Sequence, residues 1–364
     1  MTLRFHAPYM EWAKTRPAAR FDLAISNVLA CTLEDLPGAA TALELTGRND
    51  NGYAPLLEAI GRRYRMPASQ VTTAQGASGA NFLVCAALLS PGDDVLVERP
   101  GYDPLMGAPR LLGANTVRYD RTFDDRFALD PARIAAAMTP RTKLIVVTSP
   151  HNPTGALASQ SALLEVGRLA DAQRAHVLVD EVYLDTISGE VPTAALNGDT
   201  FIVTSSLTKS YGLAALRCGW VLSSTDVAAR LRRARDVIDG TGSIVAERLG
   251  VLAFEHLEAL TARARALLAT NSAIVNAFLA GRPELEYVTP EGGTVVFPRI
   301  KGVADTSRFA ERLLAEHDTA IVPGRFFDAP SHFRLGFSGP TEVLTEGLTR
   351  VARAVDELQT RARC

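Results

Sequence analysis

Lys209 stands in Ser206-Leu-Thr-Lys209-Ser-Tyr-Gly-Leu-Ala-Ala-Leu-Arg217-Cys-Gly-Trp220, a Ser/Thr/Gly-rich stretch with an arginine eight residues on. Only four of the chain's 38 basic residues are lysines; the remainder are arginine. Arginine thus serves where charge alone is wanted, and a lysine kept in such a stretch points to lysine chemistry. It can lose its proton and form a Schiff base with a carbonyl cofactor, which a guanidinium cannot. Taken alone, an exposed loop lysine is the plainer reading. Asp180 closes the apolar run His176–Val179 and precedes Glu181-Val-Tyr183. A carboxylate at the carboxyl end of a strand can hold a ring nitrogen protonated, and it can equally cap a helix. Ser149-Pro-His-Asn152-Pro-Thr-Gly155 follows the run Leu144–Thr148. Its prolines and glycine force a turn that aims the Asn152 amide into the crevice beyond the strand, although a turn needs no further role. Thr73-Ala-Gln-Gly76-Ala-Ser78-Gly79-Ala-Asn81 leads into the helical run Phe82–Leu89. Its glycines permit close approach, Ser78 can cap the helix, and the helix N-terminus offers free N–H groups to an anion. Tyr102, in Arg99-Pro-Gly-Tyr102-Asp-Pro, follows a strand and can stack on a flat ring or simply pack.

These residues need elements to position them. Short β-branched or apolar runs recur at 94–97, 115–119, 143–148, 176–179, 201–204 and 218–222, with helical patterns such as 130–138 and 159–173 between several of them. Continuous apolar runs joined by helices predict a mostly parallel α/β sheet, which carries its ligands at the carboxyl ends of its strands. From Thr225 to about Ala280 the pattern is helical throughout. The last third predicts a smaller α+β unit, with strands near 286–289, 294–297, 319–322 and 333–337 and helices over 306–317 and 342–360.

In order and spacing, Asn152-Pro-Thr-Gly, Asp180-x-x-Tyr183, Ser206-x-x-Lys209 and Leu-Arg217-x-Gly resemble the class I/II aminotransferases of the fold-type I pyridoxal 5′-phosphate (PLP) enzymes. The resemblance runs from about Thr46 to Pro340. It implies a large PLP-binding domain over 48–269 and a small domain made of 1–47 with 270–364. It implies that Lys209 carries the cofactor as an internal aldimine and then serves as the base that moves the substrate proton. Asp180 would pair with the pyridine nitrogen, Asn152 and Tyr183 would bond the ring hydroxyl, and Tyr102 would stack on the ring. The backbone at Ala77 and Ser78, with Ser206 and Arg217, would take the phosphate. Ile321-Val-Pro-Gly…Phe333-Arg334-Leu-Gly-Phe is similar to the segment bearing the carboxylate-binding arginine, which makes Arg334 the substrate anchor beside Asn152. The loop Ile25-Ser26-Asn27-Val28 falls where relatives close over the substrate, which adds Asn27 as a substrate-site candidate. The implied reaction is ping-pong amino transfer between an L-amino acid and a 2-oxo acid, in a homodimer with shared active sites. The same scaffold also runs β-lyase and other Cα-carbanion reactions, which the motifs do not separate from transamination.

One part departs from that pattern. In many relatives a tyrosine before the glycine of the Gly52 segment reaches the partner's phosphate; here Thr46-Gly-Arg48-Asn49-Asp-Asn-Gly52 has none. Either Arg48 or Asn49 replaces it, or the contact is missing. His151, beside Asn152, and Tyr102 lean toward a neutral or aromatic substrate side chain. A net charge of −2 gives no sign of nucleic acid or an anionic membrane as partner. The first residues lack the apolar run of a signal peptide and no stretch reaches transmembrane length, so the expected location is the cytoplasm. The four cysteines include no C-x-x-C, and the six histidines show no ligand spacing, so no metal site is expected. A DNA-binding regulator would need a longer basic segment before the matched region.

Overall fold

A strand covered on both faces has no polar side to present, and the Val/Ile-rich runs form the middle of one large sheet for that reason. The structure is a computed structural model that describes residues 6–363. It opens with α1 (Pro8–Thr15), β1 (Phe21–Asp22), α2 (Ala39–Ala42) and α3 (Ala54–Tyr64). Strands and helices then alternate: β2 (Val71–Gln75), α4 (Gly76–Leu88), β3 (Asp94–Arg99), α5 (Asp103–Leu111), β4 (Asn115–Asp120), α6 (Pro131–Ala137), β5 (Thr142–Thr148), α7 (Gln160–Ala172) and β6 (His176–Asp180). After β7 (Phe201–Ser206) and β8 (Cys218–Leu222) come α8 (Thr225–Ile238), α9 (Ile244–Glu255) and the long α10 (Leu257–Ala280).

The seven strands lie in the order β2-β8-β7-β6-β5-β3-β4. Only β8 runs against its neighbours; the other pairings are parallel. The carboxyl ends of β2, β3, β5, β6 and β7 and the amino end of β8 therefore share one edge of the sheet. The order in which strands are added reverses between β3 and β5, with β4 on one side and β5, β6 and β7 on the other, which opens a crevice on that edge. All six anticipated strands of the middle region are present, whereas β2 was not anticipated. Val71-Thr-Thr-Ala-Gln75 carries too few apolar residues to show as a run, because β2 is the outermost strand and pairs on one side only.

The smaller unit contains β9 (Leu285–Glu286), β10 (Val295–Val296), β11 (Arg299–Ile300), α11 (Ser307–His317), β12 (Thr319–Ala320), β13 (Val322–Pro323), β14 (Phe333–Gly336) and α12 (Thr341–Arg363). Strand β14 lies between β10 and β13, and β1 from the N-terminal segment pairs with β12. Leu23, Val275, Phe309, Phe333, Leu335, Leu344 and Val351 form its core. Gly336 admits the passing segment: a Cβ there would lie 1.9 Å from the Ile25 carbonyl oxygen. The segment 23–28 thus leaves the small sheet, through Gly336 N donating to Leu23 O at 2.7 Å, and reaches Val28, whose N–H donates to Lys209 O at 3.1 Å.

Candidate active site

Lys209 follows β7 by three residues. Its Nζ donates to Asn27 Oδ1 at 2.6 Å and to Ser26 Oγ at 3.0 Å. Burial pushes the amine down to about 8, with Tyr9 opposing that shift and Arg334 adding to it. The Ser26–Asn27 loop is held to the small unit, since Thr294 Oγ1 donates to Ser26 O and Ser338 Oγ to Asn27 O. The candidate loop therefore touches the lysine itself.

Asp180, the last residue of β6, is buried. Its carboxylate accepts from Asn81 Nδ2 at 2.8 Å and from Val182 N at 3.1 Å, and Asn81 Oδ1 accepts from Thr204 Oγ1 at 2.6 Å. Burial raises its pKa, and these donors oppose the rise. Asn81 was not anticipated as a site residue, although an amide amid the apolar residues of α4 was a readable signal. The Tyr183 hydroxyl is buried and lacks a well-formed hydrogen bond, with the Ser26 and Thr294 hydroxyls nearby. Tyr102 stands at the start of α5, edge-on to Tyr9 at 5.8 Å, and its hydroxyl donates to Met10 Sδ at 3.2 Å.

Arg334 in β14 is fully buried. Its Nη1 donates to Asn152 Oδ1 at 3.1 Å, and its Nη2 donates to Tyr9 Oη at 2.7 Å and to Ala24 O at 2.9 Å. Its Nε has no partner. Among the described residues it has no carboxylate in ion-pairing distance, and a buried cation without a counterion suits a site built for an anionic group. The structure thus brings Arg334, Asn152, Asp180, Lys209 and Tyr183 together from separate elements.

The anion-binding end lies where β2 passes directly into α4. The expected helix began at Phe82 with Ser78 as its cap; the observed helix begins at Gly76, with Gln75 in the capping position. Ser78 is therefore a first-turn residue rather than a cap, because the chain turns immediately at Gly76 (φ +71°). Gly76, Ala77 and Ser78 present first-turn N–H groups that no helical carbonyl can use. Arg217, itself left-handed at φ 51°, reaches across and donates to Gln75 O at 3.2 Å. A Cβ on Gly76 would stand 2.3 Å from Arg217 Nη2. Ser206 Oγ accepts from Thr208 N at 3.3 Å, and the Thr208 hydroxyl is buried without a partner. A glycine cradle, an arginine, two hydroxyls and a helix N-terminus fit a phosphate. The unpartnered Tyr183 hydroxyl and the buried Asp180 fit the oxygen and nitrogen of a pyridine ring.

Two expectations are corrected. His151 does not face a substrate: it is buried, with Nδ1 on Thr154 Oγ1 at 2.7 Å and Nε2 on Pro100 O at 3.0 Å. Its neighbour is the fully buried Glu98–Arg121 pair, and Glu98 also accepts from Thr148 N at 2.8 Å. Together these fix the turn that carries Asn152. Asn49 is not free to replace a phosphate-reaching tyrosine, since its amide donates to Gly242 O at 2.8 Å and Glu247 Oε2 at 3.0 Å. Arg48 has a side chain 91% exposed, paired with Asp50.

Residues 38–351 match the model of the family described as aminotransferase class I and II. Capreomycidine synthase of Streptomyces vinaceus is 33% identical, over 98% of this chain and 95% of its own length. The arginine–pyruvate transaminase AruH of Pseudomonas aeruginosa is 30% identical, over 84% of this chain and 81% of its own. The solved structure of the PLP-dependent cyclase OrfR superimposes with a TM-score of 0.86 at 26% identity, covering 96% of this chain and 97% of that one.

Proposed function

The chain belongs to the class I and II aminotransferases, PLP-dependent enzymes, and from that premise we propose that it transfers an amino group between an L-amino acid and a 2-oxo acid by a ping-pong route. One observation carries the reading: a lysine amine with lowered basicity and a buried arginine without a counterion converge on one crevice. Bound PLP supplies an electron sink for the pair left at Cα when its proton is removed. The residues do the rest. Arg334 holds the α-carboxylate and so orients the Cα–H bond. Lys209, whose amine burial lowers to about 8 so that a large share is neutral near that pH, takes that proton and returns it one position away. Asp180, held by Asn81 and Val182, would keep the pyridine nitrogen protonated, while Asn152 and Tyr183 would hold the ring oxygen. Tyr102 would pack on the ring, Asn27 stays on the lysine, and Ala77, Ser78, Ser206 and Arg217 would hold the phosphate.

A second reading, ring closure on an amino acid, is favoured by two observations: the near full-length match to capreomycidine synthase and the fit to a PLP-dependent cyclase. The name of the arginine–pyruvate transaminase makes arginine the first substrate to try. The deciding experiment follows the visible band of holoenzyme titrated with single amino acids, arginine among them, without oxo acid. Bleaching with release of the matching 2-oxo acid supports transamination. A band that persists while the amino acid loses mass or gains a ring supports the second reading. No band on adding PLP overturns both.

A further inference from the structure

Tyr9 lies in the first turn of α1, 325 residues from Arg334 in sequence, yet its hydroxyl accepts from the Arg334 guanidinium at 2.7 Å. Its backbone N–H donates to Asp103 Oδ2 at 3.1 Å, which fixes it to the start of α5 beside Tyr102. The rings of Tyr9 and Phe327 flank the guanidinium, each with its centroid 5.1 Å away. A guanidinium binds a carboxylate through two parallel N–H groups. Of the Arg334 nitrogens, Nε is unpartnered and Nη1 is shared with Asn152, while both hydrogens of Nη2 are taken, by the Ala24 carbonyl and by Tyr9. The Ala24 carbonyl is fixed by the chain. The phenol is a neutral acceptor on a side chain, and a carboxylate, as a charged acceptor, bonds the same donor more strongly.

We propose that Tyr9 is a substrate-recognition residue whose hydroxyl holds Arg334 Nη2 until an α-carboxylate displaces it. This rests on the reading of Arg334 as the carboxylate anchor. The arrangement keeps the guanidinium oriented in the free protein, and every ligand that brings a carboxylate to Arg334 meets the cost of displacing the tyrosine. A ligand without a carboxylate does not meet that cost.

The test uses holoenzyme and two small probes, each read as a competitive inhibition constant against the amino donor. Propionate has the carboxylate alone, and propylamine has the amine alone. Tyr9→Phe removes the contact from the free protein but leaves the bound state unchanged, so propionate should bind roughly three- to tenfold tighter. Thermal stability should fall in the same variant, and propylamine should be unaffected. Weaker or unchanged propionate binding overturns the proposal, as does an equal change for both probes, which would mark a merely structural residue. Arg334→Gln separates the two readings. If it leaves propionate inhibition intact, the anchor is elsewhere and both fall; if it abolishes inhibition while Tyr9→Phe gives no tightening, only the role of Tyr9 falls.

Discussion

At the scale of single residues, the site divides the reaction between a base and an anchor, and kinetics can separate them. Lys209 acts on the Cα proton, so Lys209→Ala should lower kcat by about 10³-fold or more, as loss of general-base catalysis together with the covalent link to the cofactor. The variant should still bind PLP through the phosphate end. Arg334 contributes a charge-assisted bond formed already in the substrate complex, so Arg334→Ala should raise KM roughly ten- to a hundredfold. Steady-state kinetics on both variants checks the split. If Lys209→Ala retains substantial turnover, the base is another residue.

At the scale of elements, the anion site is made by the junction of β2, α4 and the approach to β8, and one glycine keeps it open. Gly76→Ala would place a methyl group 2.3 Å from Arg217 Nη2 at a backbone angle that side chains avoid. Arg217 is exposed, so its side chain should swing aside rather than unfold the junction. The expected result is a loss of PLP affinity of about tenfold, for one displaced phosphate contact, with only a few degrees of lost thermal stability. A fluorescence titration of apoprotein with PLP measures the first and a melting curve the second. Unchanged affinity would place the phosphate away from Arg217.

At the scale of the whole molecule, Glu181 ties stability to pH. It is buried, its Oε1 accepts from Ala194 N at 2.7 Å, and its Oε2 has no partner. Burial, aided by Asp185 and Asp180, raises the carboxyl to about 8 from 4.5. Folded protein then binds more protons than unfolded between those values, so this group makes stability fall as pH rises from 4.5 to 8 and level off above. Glu181→Gln should remove that fall: equal to wild type near pH 5, several degrees more stable at pH 9. A variant less stable at pH 9 would show that the ionised form is held by contacts not seen here. We also propose a homodimer. Leu45 and Val237, 84% and 88% exposed, lie in segments joined through Asn49, Gly242 and Glu247, close to the anion site. Light scattering should give twice the 39.0 kDa of one chain; a monomeric mass sinks it.

The spacing of Asn152, Asp180, Lys209 and Arg217 determined the family, and the apolar runs joined by helical patterns determined the parallel sheet, because strands and the residues that follow them are local features of sequence. Arg334 was legible from the residues flanking it. Ser26 and Thr208 stood in segments already singled out, but nothing local distinguished them from caps and turns. Tyr9 had no local signal at all. Its role depends on α1 crossing to β14, a contact between opposite ends of the chain that no pattern of neighbours encodes. The same holds for His151 and Asn49, whose side chains were read as site candidates and proved to be spent on Thr154, Pro100 and Glu247. Spacing along the chain sets which residues reach the edge of the sheet. Which of their polar atoms remain free is decided only by the three-dimensional competition for hydrogen-bond partners.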